Sequence, residues 1–321
     1  MKSPTFGLWW NVEQMRRGGG IDGGSWLVIG ASGLIGSALL RVARASGAKV
    51  TGTCCSSSED GLAHLDIRDR SAVRAFLGEI SSSLVMCPAA RANVDWCECN
   101  PDLSREVNVE GTRNVAEACA ETGAFMVYFS SDYVFDGRAG PYSEDDSPNP
   151  VNVYGRHKLE AEDAIRNLLP GRHLVIRTTV VYGWERQGKN FVARLLRTLG
   201  EGRTLAAPVD QIGSPTYVSN LAAAVLELCE RGAVGTWHLA GPDLMSRYDF
   251  ARLAAETFGL DAGLVIPVTT EDLGQAARRP LRAGMRVEKA ASTLSTRLLP
   301  PAEGLRLMAD QRDASDWGVI R

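Results

Sequence analysis

Tyr154 and Lys158 stand four residues apart in Tyr154-Gly155-Arg156-His157-Lys158, and on a helix that spacing puts two side chains on one face. A phenol titrates near pH ~10 and trades protons poorly at neutrality unless a cation stabilises the phenolate. Lys158, one turn on, is placed to be that cation, so the pair has the makings of a general acid. The same spacing also occurs in plain surface pairs, where the lysine stem lies along the ring and the amine stays in water. The rest of the chain decides between the two.

A glycine series is the second chemical signature. Trp26-Leu27-Val28-Ile29 is a short apolar run that leads into Gly30-Ala31-Ser32-Gly33-Leu34-Ile35-Gly36 and then a helical pattern ending at Gly47. Strand, glycine turn and helix in that order are a dinucleotide-binding signature. Gly30 allows the tight turn, Gly33 lets backbone N–H groups approach a pyrophosphate, and Gly36 lets the helix pack on the strand. Gly30, Ser32, Gly33, Leu34, Ile35 and Gly36 are therefore expected around the cofactor, with Ala89 beside them. A second strand over 49–53 ends at Cys54-Cys55-Ser56-Ser57-Ser58, where an NAD-selective site places a carboxylate against the ribose. None stands there, so the extra phosphate of NADP(H) is not repelled and the serines, Ser56 first, are expected to accept it. NADP(H) is thus favoured over NAD(H). Asp66 and Ile67 are expected along the adenine edge, an ordinary helix cap being the other reading of Asp66.

These residues need elements to hold them. Apolar runs at 84–87, 124–129, 174–177 and 235–240 read as further strands, and helical patterns alternate with them, which is the signature of a parallel sheet. The expected fold is α/β, a Rossmann-type doubly wound parallel sheet with a smaller C-terminal substrate-binding lobe. Residues 1–25 are expected to be a flexible N-terminal extension, 26–182 and about 214–240 the dinucleotide-binding domain, and about 183–213 and 241–321 the substrate lobe. The strand at 124–129 delivers Ser130-Ser131-Asp132-Tyr133 to the sheet edge where such folds bind ligands. A proline-rich loop at 141–150 precedes the helix that Tyr154 opens, Asn108 is expected near the start of another, and Ser219 is expected to cap a third.

Composition bounds the partners. The chain has 321 residues and a formal net charge of -3, which argues against a nucleic-acid-binding surface. No apolar run approaches a membrane span and no signal segment is seen, so a cytoplasmic location is expected. Seven cysteines, with no Cys-x-x-Cys spacing, and four scattered histidines suggest neither a disulfide framework nor a metal site. A homodimer stays an open option.

Taken together, these motifs resemble the extended short-chain dehydrogenase/reductase superfamily from Trp26 onward. More narrowly, Phe129-Ser130-Ser131-Asp132-Tyr133-Val134-Phe135-Asp136-Gly137, Asn190-Phe191-Val192 and Asp210-Gln211-Ile212-Gly213-Ser214-Pro215-Thr216 resemble blocks of the dTDP-4-dehydrorhamnose reductase family. The resemblance implies hydride transfer from NAD(P)H to the C4 ketone of a nucleotide-linked 4-keto-6-deoxy sugar. Tyr154 would protonate the forming alkoxide, Lys158 would lower the tyrosine pKa and hold the nicotinamide ribose, and Ser131 would hydrogen-bond the carbonyl oxygen. Asn108 falls where the superfamily often has a structural or relay asparagine, a helix cap being its other reading. Asp132, Tyr133, Val180, Asn190, Arg194 and Arg279 are the expected substrate contacts, although Arg194 also fits a solvated helix face. Related dehydratases carry an Asp-Glu pair where this chain has Asp132-Tyr133, which disfavours dehydration. The chain departs from the reductases at Cys87, where they have asparagine, and at Val180, where they commonly place a tryptophan against the sugar; Trp184 is a nearby substitute for that wall. A second, non-enzymatic reading is a NADP-binding regulatory subunit, because the β subunit of methionine adenosyltransferase resembles the same family and has a similar Ser-Ser-Asp-Tyr block.

Overall fold

The structure, a computed structural model, describes residues 24–55 and 61–312. Ser56 and nearly all of the N-terminal extension lie outside the described residues. Seven strands form the central sheet: β1 (Trp26–Ile29), β2 (Val50–Cys54), β3 (Ala63–His64), β4 (Leu84–Cys87), β5 (Phe125–Ser131), β6 (His173–Thr178) and β7 (Gly235–His238). Their order is β7-β6-β5-β4-β1-β2-β3, and every ladder is parallel. All residues of β1 and β4 are buried, as a parallel sheet covered on both faces requires. The order reverses between β1 and β4, which opens a crevice at the carboxyl ends of the strands.

One face of the sheet is covered by the helices Leu34–Ala45 and Val218–Glu230, through Leu39, Ala43, Leu221 and Val225. The helices Arg70–Ile80, Thr112–Thr122 and Val153–Leu168 cover the other, through Leu77, Val115, Cys119 and Ile165. A separate apolar core, with Tyr182, Leu195, Phe250 and Leu305, joins the helices Phe191–Gly200, Arg247–Thr257 and Pro301–Asp310. The outer edge of β7 is occupied by side chains: Lys289 Nζ donates to the Thr236 carbonyl at 2.7 Å, and the His238 N–H donates to the Glu144 carboxylate at 2.9 Å.

Two expectations about helix starts are corrected. Asn108 opens nothing, because Pro101–Arg105, a π-helical turn at Glu106–Gly111 and Thr112–Thr122 follow one another directly, with Asn108 inside the π turn. Ser219 lies in the first turn of Val218–Glu230, whose cap position is Tyr217.

The glycine turn works by close approach. A Cβ on Gly36 would lie 2.2 Å from the Gly30 carbonyl oxygen, a distance no atom pair tolerates, so the first helix reaches β1 only with hydrogen there. At Gly78, exposed in the helix Arg70–Ile80, a Cβ would meet nothing within 4 Å. In denaturant unfolding, Gly36→Ala is expected to lose about 1–3 kcal/mol through overpacking, whereas Gly78→Ala should gain about 0.5–1 kcal/mol through helix propensity. Changes of the same sign and size at the two sites would contradict the packing described.

Candidate active site

Asn152 starts the Tyr154 helix by accepting the Gly155 N–H on its side chain at 2.8 Å, the usual cap geometry. Tyr154, in the first turn, then lies against the end of β5, and Lys158 and Glu162 follow at intervals of four on the same buried stripe. Lys158 Nζ donates to the Phe129 carbonyl at 2.7 Å and stands 4.6 Å from the Tyr128 ring centroid and 5.9 Å from that of Tyr154. Burial lowers the lysine pKa to about 8. Burial also raises the Tyr154 phenol well above its ordinary value; the Asp132 carboxylate adds to this and the Ser131 hydroxyl works against it. The expected lowering of the phenol by Lys158 is therefore outweighed, because the phenol is shut away from water and the amine is turned to a backbone carbonyl.

Ser131, at the end of β5, donates to Asp132 Oδ1 at 2.8 Å and accepts the Tyr133 N–H at 3.2 Å. Thr179 Oγ1 donates to the other Asp132 oxygen at 2.6 Å. Burial raises Asp132 to about 6, partly offset by the Thr179 and Ser131 hydrogen bonds. The Tyr133 ring meets Tyr154 edge-on at 5.8 Å. Ser131, Asp132, Tyr133, Tyr154 and Lys158 thus form one cluster, with Thr179 an addition that no motif had marked.

Across this cluster the structure gathers arginines. Arg279 is buried, held by Asp95 at 2.7 Å and by the Ala277 carbonyl at 2.7 Å. Arg247, absent from the sequence reading, begins the helix Arg247–Thr257, where its backbone N–H donates to the Gln211 carbonyl and its guanidinium lies 5.4 Å from the Phe191 ring centroid. Burial lowers the Arg247 pKa; Tyr133 and Asp132 oppose this, while Arg194 and Arg279 reinforce it, so all five groups share one field. The signal available in the sequence was the Asp210–Thr216 block that anchors Arg247. Asp210 holds Thr270, and Ile212 accepts and donates along the 281–283 segment. Asn190 serves as a helix cap: its Oδ1 accepts the Ala193 N–H and its Nδ2 donates to the Gly183 carbonyl and Glu185. Val180 is half-buried with φ +45°, in the left-handed region that a β-branched residue rarely adopts. Trp184 forms no substitute wall over the sugar position, because its indole donates to the Met308 carbonyl at 2.7 Å and meets Phe258 edge-on.

On the cofactor side, Gly33 caps the helix Leu34–Ala45 without a side-chain bond and its first turn holds no carboxylate. The opening N–H groups around Ser32, Leu34 and Ile35 are thereby kept for an anion. Ala89 abuts Gly30 at the switch point, 3.0 Å from where a Cβ would stand. These features fit a dinucleotide pyrophosphate. Asp66 is not a helix cap: Asp69 caps Arg70–Ile80, and Asp66 instead takes Arg68 at 2.6 Å, which with the other Arg68 bonds holds its carboxyl at about 2. Ile67 is buried in the sheet core. Cys55, just after β2, meets the Asp66 carboxylate through a hydrogen bond, with Arg68 and Arg91 also in its field, cations that the local sequence of that turn did not offer.

Comparison with known proteins agrees with this geometry. The model of the RmlD substrate binding domain matches residues 25–313. A dTDP-4-dehydrorhamnose reductase of Streptomyces griseus is 37% identical over 267 residues, 79% of this chain and 83% of that protein. A methionine adenosyltransferase 2 subunit beta of Xenopus tropicalis is 32% identical over 265 residues, 80% of this chain and 79% of that protein. The crystal structure of a dTDP-4-dehydrorhamnose reductase from Bacillus anthracis in complex with NADP superposes with a TM-score of 0.82 at 29% identity, over 90% of this chain and 99% of that one. A sheet of this order, an uncapped glycine-turn helix and a match over nearly the whole described chain make the protein a member of the RmlD substrate binding domain family, the dTDP-4-dehydrorhamnose reductase family that its motifs resemble.

Proposed function

We propose that the protein uses NADPH to reduce the C4 ketone of a nucleotide-linked 4-keto-6-deoxy sugar. The observation that carries this is the meeting of Tyr154, Ser131 and Lys158 at the end of β5, with Arg247 in one field with Asp132, Tyr133, Arg194 and Arg279. The uncapped helix start holds the cofactor pyrophosphate, and Arg91, with Arg68 that Asp66 already pairs, lies near Cys55 and leans the site towards the adenosine phosphate of NADPH. When bound, NADPH supplies the hydride.

The chain's own residues manage the proton and the charge. A phenol raised by burial is protonated at neutral pH, which suits donation to an alkoxide better than abstraction from an alcohol. The tyrosinate left behind faces Lys158, an ammonium below about pH 8. Ser131 shares its proton with Asp132 until a substrate oxygen competes for it. The arginines grip the diphosphate, for which their paired N–H groups are suited. Val180, with Gly213 behind it, leaves the sugar wall aliphatic, so the sugar is a 6-deoxy hexose other than, or in addition to, the rhamnose precursor. In this reading 183–213 and 241–312 form the lobe that closes on the substrate.

A second reading, a NADP-binding regulatory subunit, is favoured by one observation, the 32% identity to a methionine adenosyltransferase 2 subunit beta. It predicts NADP(H) binding without turnover.

NADPH oxidation with dTDP-4-keto-6-deoxy sugars distinguishes them. Wild type is expected to turn over, and Tyr154→Phe to lose ~10²–10⁴-fold in kcat with NADPH binding retained; equal rates for the two would remove Tyr154 as proton donor. Turnover should decline as pH rises through about 8, where Lys158 loses its proton, and an unchanged rate to well above that pH would exclude the ammonium role. Arg247→Gln should raise the sugar-nucleotide KM ~10-fold or more while leaving NADPH affinity alone; an unaltered KM would place the diphosphate elsewhere.

A further inference from the structure

His157 lies between Tyr154 and Lys158 in the sequence, yet it faces away from both. Its Nδ1 is 2.9 Å from Ser104 Oγ, in the helix Pro101–Arg105, and both side chains are buried. Ser104 in turn is reached by Asn108 Nδ2 at 3.2 Å. Asn108 closes a two-bond clamp on Arg91, accepting its N–H at 2.8 Å and donating to its carbonyl at 3.0 Å, and the Cys97 thiol donates to the same carbonyl at 3.3 Å. The π turn places Asn108 within this reach. Arg91 belongs to the loop after β4 whose Ala89 abuts Gly30, so the chain of bonds runs from the Tyr154 helix to the cofactor crevice.

Asn108 gives one amide hydrogen to Arg91 and one to Ser104, so one Ser104 lone pair is taken and the hydroxyl keeps its proton and a second lone pair for His157. With a neutral ring that carries its proton on Nε2, Ser104 donates to Nδ1. Protonating Nδ1 reverses that bond and turns the Ser104 proton out of it.

We infer that His157 is a positioning residue: through Ser104 and Asn108 it couples the helix bearing Tyr154 and Lys158 to the loop that seats the dinucleotide, and protonating its ring reverses the Ser104 bond that carries the coupling. The groups facing His157 are Glu160 and Arg156 on its own helix, Arg105 on the Ser104 helix and Glu98 on Val94–Cys99. Burial lowers its pKa below 6.5, Glu160 and Glu98 pulling upward and Arg105 and Arg156 downward. The Ser104-to-His157 bond is therefore present above that pKa and reversed as pH falls through it. Binding of the dinucleotide is the part of the proposed function on which this rests.

The test is calorimetric titration of NADP+ into wild type, His157→Asn and His157→Leu from about pH 8 down to about pH 5.5, with thermal melting of each. Asparagine offers an acceptor near the place of Nδ1 and does not titrate. Wild type is expected to lose ~5–10-fold in affinity on acidification, His157→Asn to keep wild-type affinity within ~2-fold at both ends, and His157→Leu to bind ~10-fold more weakly throughout. A His157→Leu chain that melts and binds like wild type overturns the inference, and so does a His157→Asn chain that retains the full acid-side loss. Keto-sugar turnover measured on the same samples reports separately on the reductase reading: its absence beside the expected binding pattern would sink that reading and support this one.

Discussion

Three ionisable side chains, Tyr154, Lys158 and Glu162, occupy successive turns on the face of the Val153–Leu168 helix that packs on the sheet, where apolar residues are the physical default. Burying such groups is costly unless each finds a partner. Lys158 takes the Phe129 carbonyl of β5, and Glu162 takes Arg177 of β6 through bonds of 3.0 and 2.8 Å. The helix is thereby pinned to two adjacent strand ends. A shift of the helix by one turn would leave a buried ammonium and a buried carboxylate unpaired, so the geometry of Tyr154 against Ser131 is set by the cost of that alternative and not by the two residues themselves.

The second lobe is held to this frame by bonds from the block at 129–137 and from Asn152. Asp136 accepts the Tyr142 hydroxyl and the Arg138 N–H, and the Gly137 carbonyl accepts the Arg282 N–H. Asn152, besides capping the Tyr154 helix, donates to the Arg278 carbonyl. The segment carrying Arg279 therefore crosses from the second lobe to the helix start beside Tyr154, and the Gln211 carbonyl sets the first residue of the Arg247 helix from the other side. Residues of the blocks that pointed to a sugar-nucleotide reductase family thus serve in this strapping as well as at the site.

The parallel sheet, its glycine turn and the Tyr154 helix were legible because each rests on local chemistry: runs buried on both faces, a close approach that admits only hydrogen, and an i, i+4 pair on an apolar-striped helix. What was not legible came from contacts distant in sequence. Arg247 lies 115 residues from Asp132, and nothing in Ser246-Arg247-Tyr248 marks it apart from its tie to the Asp210 block. Asn190 matched a motif, but a helix cap and a ligand contact ask for the same residue type, and only the bonds to Ala193, Gly183 and Glu185 separate them. The tyrosine pKa was misread for a related reason: spacing shows that Lys158 is near, whereas burial, the larger effect, belongs to the assembled core.

The charged cover on β7 bears on how this protein can associate. An uncovered border strand is a template on which another chain can continue the ladder. Here the ammonium of Lys289 and the carboxylate of Glu144 already occupy the outward groups of Thr236 and His238, and at the opposite border β3 is two residues long. A second copy would have to displace both ions before pairing with β7, and β3 offers it only two residues, so strand addition is disfavoured at both margins and, among the described residues, helix and lobe surfaces are left for an assembly of copies.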